Sequence, residues 1–180
     1  MKKEIRICGF GGQGVILAGF IIGKAASVYM DYQAVQSQSY GPEARGGAAR
    51  SEVIIADEKI GYPRPLSVDC LVAMSQESFD SYRNDIRDDT IIILDPDLVI
   101  KHDIGRPIYK VHGQQIAEDL GNKIVTNIVM VGAFSSIYDI LSVDAVKNAV
   151  INSVPERFTA LNVKAFEKGV EAGKDALKKQ

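Results

Sequence analysis

The chain has 180 residues, and its hydrophobic fraction of 46 % is enough for one domain with a substantial buried core. Lysine and arginine total 21 against 23 acidic residues, so the formal net charge is −2 and no nucleic-acid surface is indicated. Since no run of about 18 apolar residues occurs and the N-terminus lacks a signal-type apolar segment, we expect a cytoplasmic protein that binds no membrane.

The first third of the chain alternates between short apolar runs and one long helical segment. Residues 4–8 and 32–36 have the apolar character of short strands, and residues 50–56 form a third candidate strand. Residues 15–29 are apolar on almost every side, which predicts a helix buried between layers. The polar, glycine-rich segment 37–50 is predicted to be a loop.

The middle of the chain continues the alternation of strands and helices. Residues 69–74, 90–95 and 106–111 are predicted strands, and the β-branched run at 90–95 is typical of a central parallel strand. Ser75 is a candidate N-cap for a helix over 76–86. A further helix is predicted over 114–121, ending at Gly121.

From Asn127 onward the sequence is helical in character. Helices are predicted over residues 127–141, 142–154 and 162–179, with Ser142 as the cap of the second. Strands that alternate with helices predict an α/β fold: a single three-layer α/β/α domain, residues 1–180, around a mostly parallel sheet.

The sequence GFGGQG at residues 9–14 is a G-x-G-x-x-G motif at the predicted turn from the first strand to the first helix. It predicts a Rossmann-like first βα turn, in which the backbone can approach an anion at the helix N-terminus. A dinucleotide site also needs an acid at the end of the second strand. Asp31 precedes that strand and Gln36 ends it, so three interpretations stay open: a tight structural turn, contact with an anion or partner, or a dinucleotide site.

The second unusual segment is SQSYGPEARGGAAR at residues 37–50. Arg45 and Arg50 could each bind a phosphate or carboxylate through two hydrogen bonds, and the neighbouring glycines would leave room for a ligand. The alternative is a weak surface ion pair, either Glu43 with Arg45 or Glu52 with Arg50. We expect this segment and the glycine loop to lie at the same edge of the sheet.

Taken together, GGQGV (residues 11–15) and SYGPEARGG (residues 39–47) resemble the gamma subunit of 2-oxoacid:ferredoxin oxidoreductases. The resemblance extends over essentially the whole chain, and the wording of the second motif is most similar to the 2-oxoglutarate branch. It implies a non-redox subunit of a 2-oxoglutarate:ferredoxin oxidoreductase. The alternatives are a gamma subunit for pyruvate, a branched-chain 2-oxoacid or indolepyruvate, and, in a different class, a free-standing nucleotide-binding module.

The resemblance also implies partners and cofactors. The partners are alpha, beta and delta subunits, with ferredoxin reached through the complex. Thiamine diphosphate, [4Fe–4S] clusters and coenzyme A (CoA) belong to the assembled enzyme, and this chain alone holds none of them. The residues expected to contact cofactors or the catalytic subunits are Gly9, Gly11, Gly12, Gln13, Gly14, Tyr40, Gly41, Pro42, Glu43, Arg45, Gly46 and Gly47.

The remaining reactive residues agree with a non-redox role. Cys8 and Cys70 are predicted to be free, buried thiols, and two cysteines are too few for a four-thiolate cluster. Two histidines, His102 and His112, make a zinc site improbable. Asp95 ends a predicted strand at the edge where α/β folds bind ligands, so it is either a ligand contact or a turn former. No catalytic residue and no metal ligand is predicted.

Overall fold

The computed structural model describes residues 1–40 and 47–179. In these two ranges, six strands form one mixed sheet: β1 (Lys2–Phe10), β2 (Gln33–Tyr40), β3 (Ala48–Ala56), β4 (Val68–Ala73), β5 (Ile86–Leu94) and β6 (Tyr109–Lys110). Their order is β2-β3-β1-β4-β5-β6. The pairs β1–β4, β4–β5 and β5–β6 are parallel, whereas β3 is antiparallel to both β1 and β2. Five strands therefore point in one direction, and the expected mostly parallel sheet is confirmed with β3 as the exception.

Among the described residues, six helices flank the sheet: α1 (Val15–Tyr29), α2 (Gln76–Tyr82), α3 (Gly113–Asp119), α4 (Thr126–Ile137), α5 (Val143–Ile151) and α6 (Thr159–Lys178). Short 3₁₀ turns at Lys123–Val125 and Glu156–Phe158 precede α4 and α6. The main core lies between one face of the sheet and α1, α3, α4, α5 and α6. The other face holds a smaller core covered by α2 and the segment after β5. The three-layer α/β fold is confirmed, and its two outer layers are unequal.

The alternation of β1 explains how both faces are filled. Ile5 and Ile7 point into the main core, whereas Arg6 and Cys8 lie on the face covered by α2. Arg6 is buried because it pairs with Glu52 of β3, with Arg6 Nη2 2.7 Å from the carboxylate. A charge held this deeply needs such a partner, since its desolvation is otherwise uncompensated.

Several predicted boundaries shift. β2 continues to Tyr40 instead of ending at residue 36, because it pairs in register with β3 as far as Ala49. The predicted helix over 76–86 ends at Tyr82, since Ile86 already pairs with Val68. The predicted strand over 106–111 contains only Tyr109 and Lys110.

The predicted caps are confirmed. Ser75 accepts a hydrogen bond from the Ser78 N–H (3.3 Å), and Ser142 accepts one from the Ala145 N–H (3.1 Å). Gly121 follows α3 with a φ of +89°, the left-handed conformation that glycine tolerates at a helix end. Within residues 1–40 and 47–179, none of the helices is long and apolar enough to cross a membrane.

Candidate functional site at the glycine loop

The turn from β1 to α1 requires glycine at two positions. Gly12 has a φ of +97° and Gly14 a φ of +73°, both in the left-handed region. A Cβ atom at Gly14 would also overlap the side-chain amide of Asn127 from α4. The motif therefore has a structural role in addition to any ligand that it contacts.

The Gln13 side chain is turned into the fold. Its Oε1 accepts a hydrogen bond from the Phe10 N–H (2.6 Å), and its Nε2 donates to the Met74 carbonyl just after β4 (2.8 Å). A Cβ atom at Gly9 would overlap Gln13 Oε1, so Gly9 makes room for this contact. Gln13 holds the glycine loop against the end of β4, and both of its polar groups are occupied by the protein.

The start of α1 is open to an anion. Its first helical hydrogen bond runs from the Ala18 N–H to the Gly14 carbonyl (2.9 Å), and Asn127 Nδ2 donates to the same carbonyl (3.1 Å). The earlier amides of the helix have no acceptor inside it. Among the described residues no side chain caps this end, and the first turn contains no acid. The positive end of the helix dipole therefore faces outward uncompensated.

The glycine loop and the second motif meet in space. The Gly11 N–H donates to the Gly47 carbonyl at 3.3 Å, so the two segments lie at one edge of the sheet, as expected. Tyr40, at the end of β2, has 61 % of its surface exposed beside this edge. The other residues of the second motif that were expected to make contacts, Gly41, Pro42, Glu43, Arg45 and Gly46, lie outside the described residues.

Arg50 belongs to β3 and not to a loop. Its guanidinium lies 5.4 Å from the centre of the Tyr82 ring on the α2 face, and its Nε is 3.7 Å from Glu52. The expected pairing of Arg50 with Glu52 is present, but Glu52 is buried and bound more closely by Arg6.

The sheet order disfavours a dinucleotide at the glycine loop. In a dinucleotide fold the strand beside β1 supplies the acid for the ribose, but here the antiparallel β3 lies beside β1 and β2 is one strand further away. Asp31 precedes the start of β2, so it lies at the opposite end of the strands from the glycine loop. Gln36 lies inside β2, where its Nε2 donates to the Ile16 carbonyl and to Ser51 Oγ.

Two neighbouring cavities open beside the helix start. One, here called the apolar cavity, has a volume of about 340 Å³ and lies between the glycine loop, the 3₁₀ turn before α4 and the start of α6. The second, the polar cavity, has a volume of about 460 Å³ and is lined in part by Gln114 and Lys123. Both are lined by Gly12, Asn122 and Ile124. Volumes of this size suit parts of a small organic ligand.

Sequence reasoning missed most of the cavity lining. Asn122 caps the 3₁₀ turn by accepting from the Ile124 N–H (3.1 Å), and a polar cap after Gly121 is a signal that could have been noticed. Ile124 is 68 % exposed and Phe158 is 43 % exposed, which marks both as unusual surface residues. Their proximity to the glycine loop is a tertiary feature that no local pattern predicts.

Asp95 and the two cysteines have structural roles. Asp95 is fully buried and accepts hydrogen bonds from the N–H groups of Asp97 (2.9 Å) and Gln114 (2.7 Å), so it forms a turn and joins α3 to β5. Burial raises the pKa of its carboxyl group above the usual value. Cys8 and Cys70 are free and buried, as expected, and burial raises the pKa of the Cys8 thiol to about 12.

Residues 4–172 match the pyruvate ferredoxin/flavodoxin oxidoreductase family. The chain belongs to this family. Among its relatives, 2-oxoglutarate synthase subunit KorC of Methanocaldococcus jannaschii is 45 % identical over 179 residues, which cover 97 % of this chain and 96 % of the relative.

Two solved structures of family members share the fold. The gamma subunit of a keto/oxoacid ferredoxin oxidoreductase from Geobacter sulfurreducens has a TM-score of 0.88 and 42 % identity, with 98 % of each chain covered. The 2-oxoglutarate:ferredoxin oxidoreductase of Magnetococcus marinus, solved with 2-oxoglutarate, CoA and succinyl-CoA, has a TM-score of 0.85 and 25 % identity. There the match covers 97 % of this chain but 31 % of the longer chain. The same α/β unit thus occurs in the family both as a separate chain and as part of a larger one.

Proposed function

We propose that this chain is the gamma subunit of a 2-oxoglutarate:ferredoxin oxidoreductase, or 2-oxoglutarate synthase. The assembled enzyme would convert 2-oxoglutarate, CoA and two oxidised ferredoxins into succinyl-CoA, carbon dioxide, two reduced ferredoxins and a proton. The observation that carries the proposal is similarity over nearly the full length of both chains, at 45 % identity, to a 2-oxoglutarate synthase subunit. The enzyme would act in the cytoplasm.

The redox chemistry would belong to the other subunits. The described residues contain no group of three or more histidine, cysteine or acidic side chains that could hold a metal ion. The only two cysteines lie in cores on opposite faces of the sheet, Cys8 under α2 and Cys70 under the main helical layer. They cannot ligate one cluster together, which supports placing the [4Fe–4S] clusters on other subunits, and we propose that thiamine diphosphate is likewise held by the alpha, beta and delta subunits.

The contribution of this chain would be a binding surface for CoA beside the catalytic subunits. CoA has phosphate groups that suit the open amides of α1 and the cation of Lys123 in the polar cavity. Its less polar parts suit the apolar cavity, whose lining includes Leu17 and Phe158. Arg45, two residues before Gly47 in the sequence, would add a guanidinium from the second motif.

The test begins with purification of the complex from the native cell through an affinity tag on this chain. We expect thiamine-binding and cluster-binding proteins to copurify, and the complex to reduce ferredoxin fastest with 2-oxoglutarate. Pyruvate, a branched-chain 2-oxoacid and indolepyruvate are the comparison substrates. Preference for one of these would move the chain to another branch, and purification without partners would contradict the proposal.

The same preparation tests the CoA surface through Arg45→Lys. Lysine keeps the charge but cannot reproduce two parallel hydrogen bonds to a phosphate or carboxylate. Losing a desolvated contact of this kind costs about 2–5 kcal/mol, and because lysine keeps the charge we expect the variant to weaken CoA binding or subunit assembly by at least about tenfold, or about 1.4 kcal/mol. Arg64→Lys, at an exposed arginine in the segment between β3 and β4, is the control and should behave as wild type. Unchanged CoA affinity and assembly in Arg45→Lys would exclude this role.

A further inference from the structure

The outer edge of β2 is a long strand edge without a partner among the described residues. β2 has eight residues and is the last strand of the sheet on its side, paired only to β3. In an antiparallel pair, alternate residues point their N–H and C=O groups away from the neighbour. About four of the eight residues therefore present backbone hydrogen-bonding groups at the open edge.

This edge lacks the features that normally prevent a sheet from pairing with another chain. The sequence QAVQSQSY contains no charged residue and no proline, and its pairing with β3 runs from Gln33 to Tyr40 without a bulge. At the opposite side of the sheet, the two-residue strand β6 pairs only with Ile93 and Leu94 of β5, and the uncovered part of β5 carries Arg87, Asp88 and Asp89, charges that disfavour pairing with another strand. Natural proteins protect a long, regular and uncharged edge strand such as β2, or pair it with another strand.

A groove accompanies the open edge on the helical face. It has a volume of about 390 Å³ and runs between α1 and β2, with Gly23 and Ala34 among its lining residues. Phe20 and Val28 of α1 flank it with 48 % and 62 % of their surfaces exposed. An added strand would place every second side chain over this groove, so apolar residues at alternate positions would cover both exposed side chains.

The charges beside the groove favour a different chain over a second copy of this one. Lys24 lies between Phe20 and Val28 on the same side of α1, since residues four apart share a helix face. Its ammonium group donates to the Asn152 carbonyl and Ser153 Oγ at the end of α5. In a two-fold pairing of β2 with itself, the two α1 helices would face each other and bring the two Lys24 side chains together. A neutral or acidic segment avoids that repulsion.

One solved relative has further polypeptide attached to the same α/β unit. In the Magnetococcus marinus enzyme the matched unit is 31 % of a longer chain, so other parts of the same enzyme are tethered to it. β2 also leads directly into the second motif, which we have proposed to face the catalytic subunits.

We propose that another subunit of the oxidoreductase adds an extended segment to β2, extending the sheet by a strand. The segment is neutral or acidic and carries apolar residues at alternate positions that pack against Phe20 and Val28. Backbone hydrogen bonds supply the pairing, and the groove selects the side chains. This inference rests on the proposed membership of a multisubunit enzyme.

The experiment compares hydrogen exchange of β2 in the isolated chain and in the purified complex. We expect the outward-facing amides of residues 33–40 to exchange freely in the isolated chain and to become protected in the complex. Val28→Glu, which places a charge over the groove, should weaken assembly by at least about tenfold. Leu66→Glu is the matched control, because Leu66 is 78 % exposed in the connection between β3 and β4. Circular dichroism of both variants confirms that they fold.

Each other outcome overturns the inference. Normal assembly of Val28→Glu with no added protection of β2 would show that the edge stays open, while the proposed function stands. An isolated wild-type chain that is already a dimer with protected β2 amides would show that a second copy occupies the edge. Failure of the wild-type chain to join any complex would remove the proposed function, and this inference with it.

Discussion

At the scale of single residues, Gln13 shows how a motif side chain can serve the motif itself. It lies between two glycines of the loop, where a ligand contact was the expectation. Instead its amide bridges the Phe10 N–H and the Met74 carbonyl, so it fixes the loop that exposes the first amides of α1. Any ligand at this loop would meet backbone groups that Gln13 has positioned.

Gln13→Glu is therefore expected to destabilise the protein although it changes little in shape. The carboxylate can still accept from the Phe10 N–H, but its second oxygen would face the Met74 carbonyl with no donor between them. The unfolding free energy, measured by urea denaturation, should fall by about 1–3 kcal/mol. Gln33→Glu, at an exposed position of β2, should stay within about 0.5 kcal/mol of wild type. Equal denaturation midpoints for both variants would show that the bridge contributes nothing.

At the scale of elements, α4 and α6 approach so closely that backbone packs on backbone. A Cβ atom at Gly132 of α4 would overlap the Phe166 carbonyl, and a Cβ atom at Gly169 of α6 would overlap the Val129 carbonyl. These glycines lie where the two helices cross. The close packing that they permit offsets the lower helix propensity of glycine.

Gly169→Ala and Gly23→Ala should change stability in opposite directions. Alanine favours a helix over glycine by about 1 kcal/mol. At Gly169 the added methyl group forces α6 away from α4, so we expect a net loss of about 1–3 kcal/mol in unfolding free energy. At Gly23 of α1 the nearest atom to an added Cβ is Val53 Cγ1 at 3.7 Å, an ordinary contact, so a gain of about 0.5–1 kcal/mol is expected. Thermal or urea unfolding of both variants measures the two changes. Loss of stability in both variants would show that close helix packing does not distinguish Gly169 from Gly23.

Element identity was predictable from the sequence more readily than element length. The apolar runs of β1, β4 and β5 and the capping serines of α2 and α5 carry strong local signals, and all are confirmed. The second half of β2 is polar on both sides because it forms an exposed edge, so its pattern resembled a loop. The glycine loop was found from its motif. Lys123 and Phe158 were not, because they reach the cavities through the packing of distant helix ends.

At the scale of the whole molecule, the described residues combine an open end of the sheet, beside the glycine loop, with a sealed interior. The glycine loop, Gly47 and the two cavities lie together at one edge of the sheet, whereas both thiols are inaccessible in separate cores. This separation suits a subunit that helps to bind a substrate for cofactors held elsewhere.

The last prediction follows from that separation. Reconstitution of the isolated chain with iron and sulfide should produce no [4Fe–4S] cluster, because a cluster needs four thiolates. Two copies of the chain could supply four cysteines, but Cys8 and Cys70 are both fully buried, and burial raises the pKa of each thiol and so disfavours the thiolate. Visible absorbance and iron content are the measurements, with a ferredoxin reconstituted in parallel as the positive control. Stoichiometric iron with cluster absorbance in the folded chain would mean that the cysteines become accessible, and the division of labour proposed for the subunits would have to change.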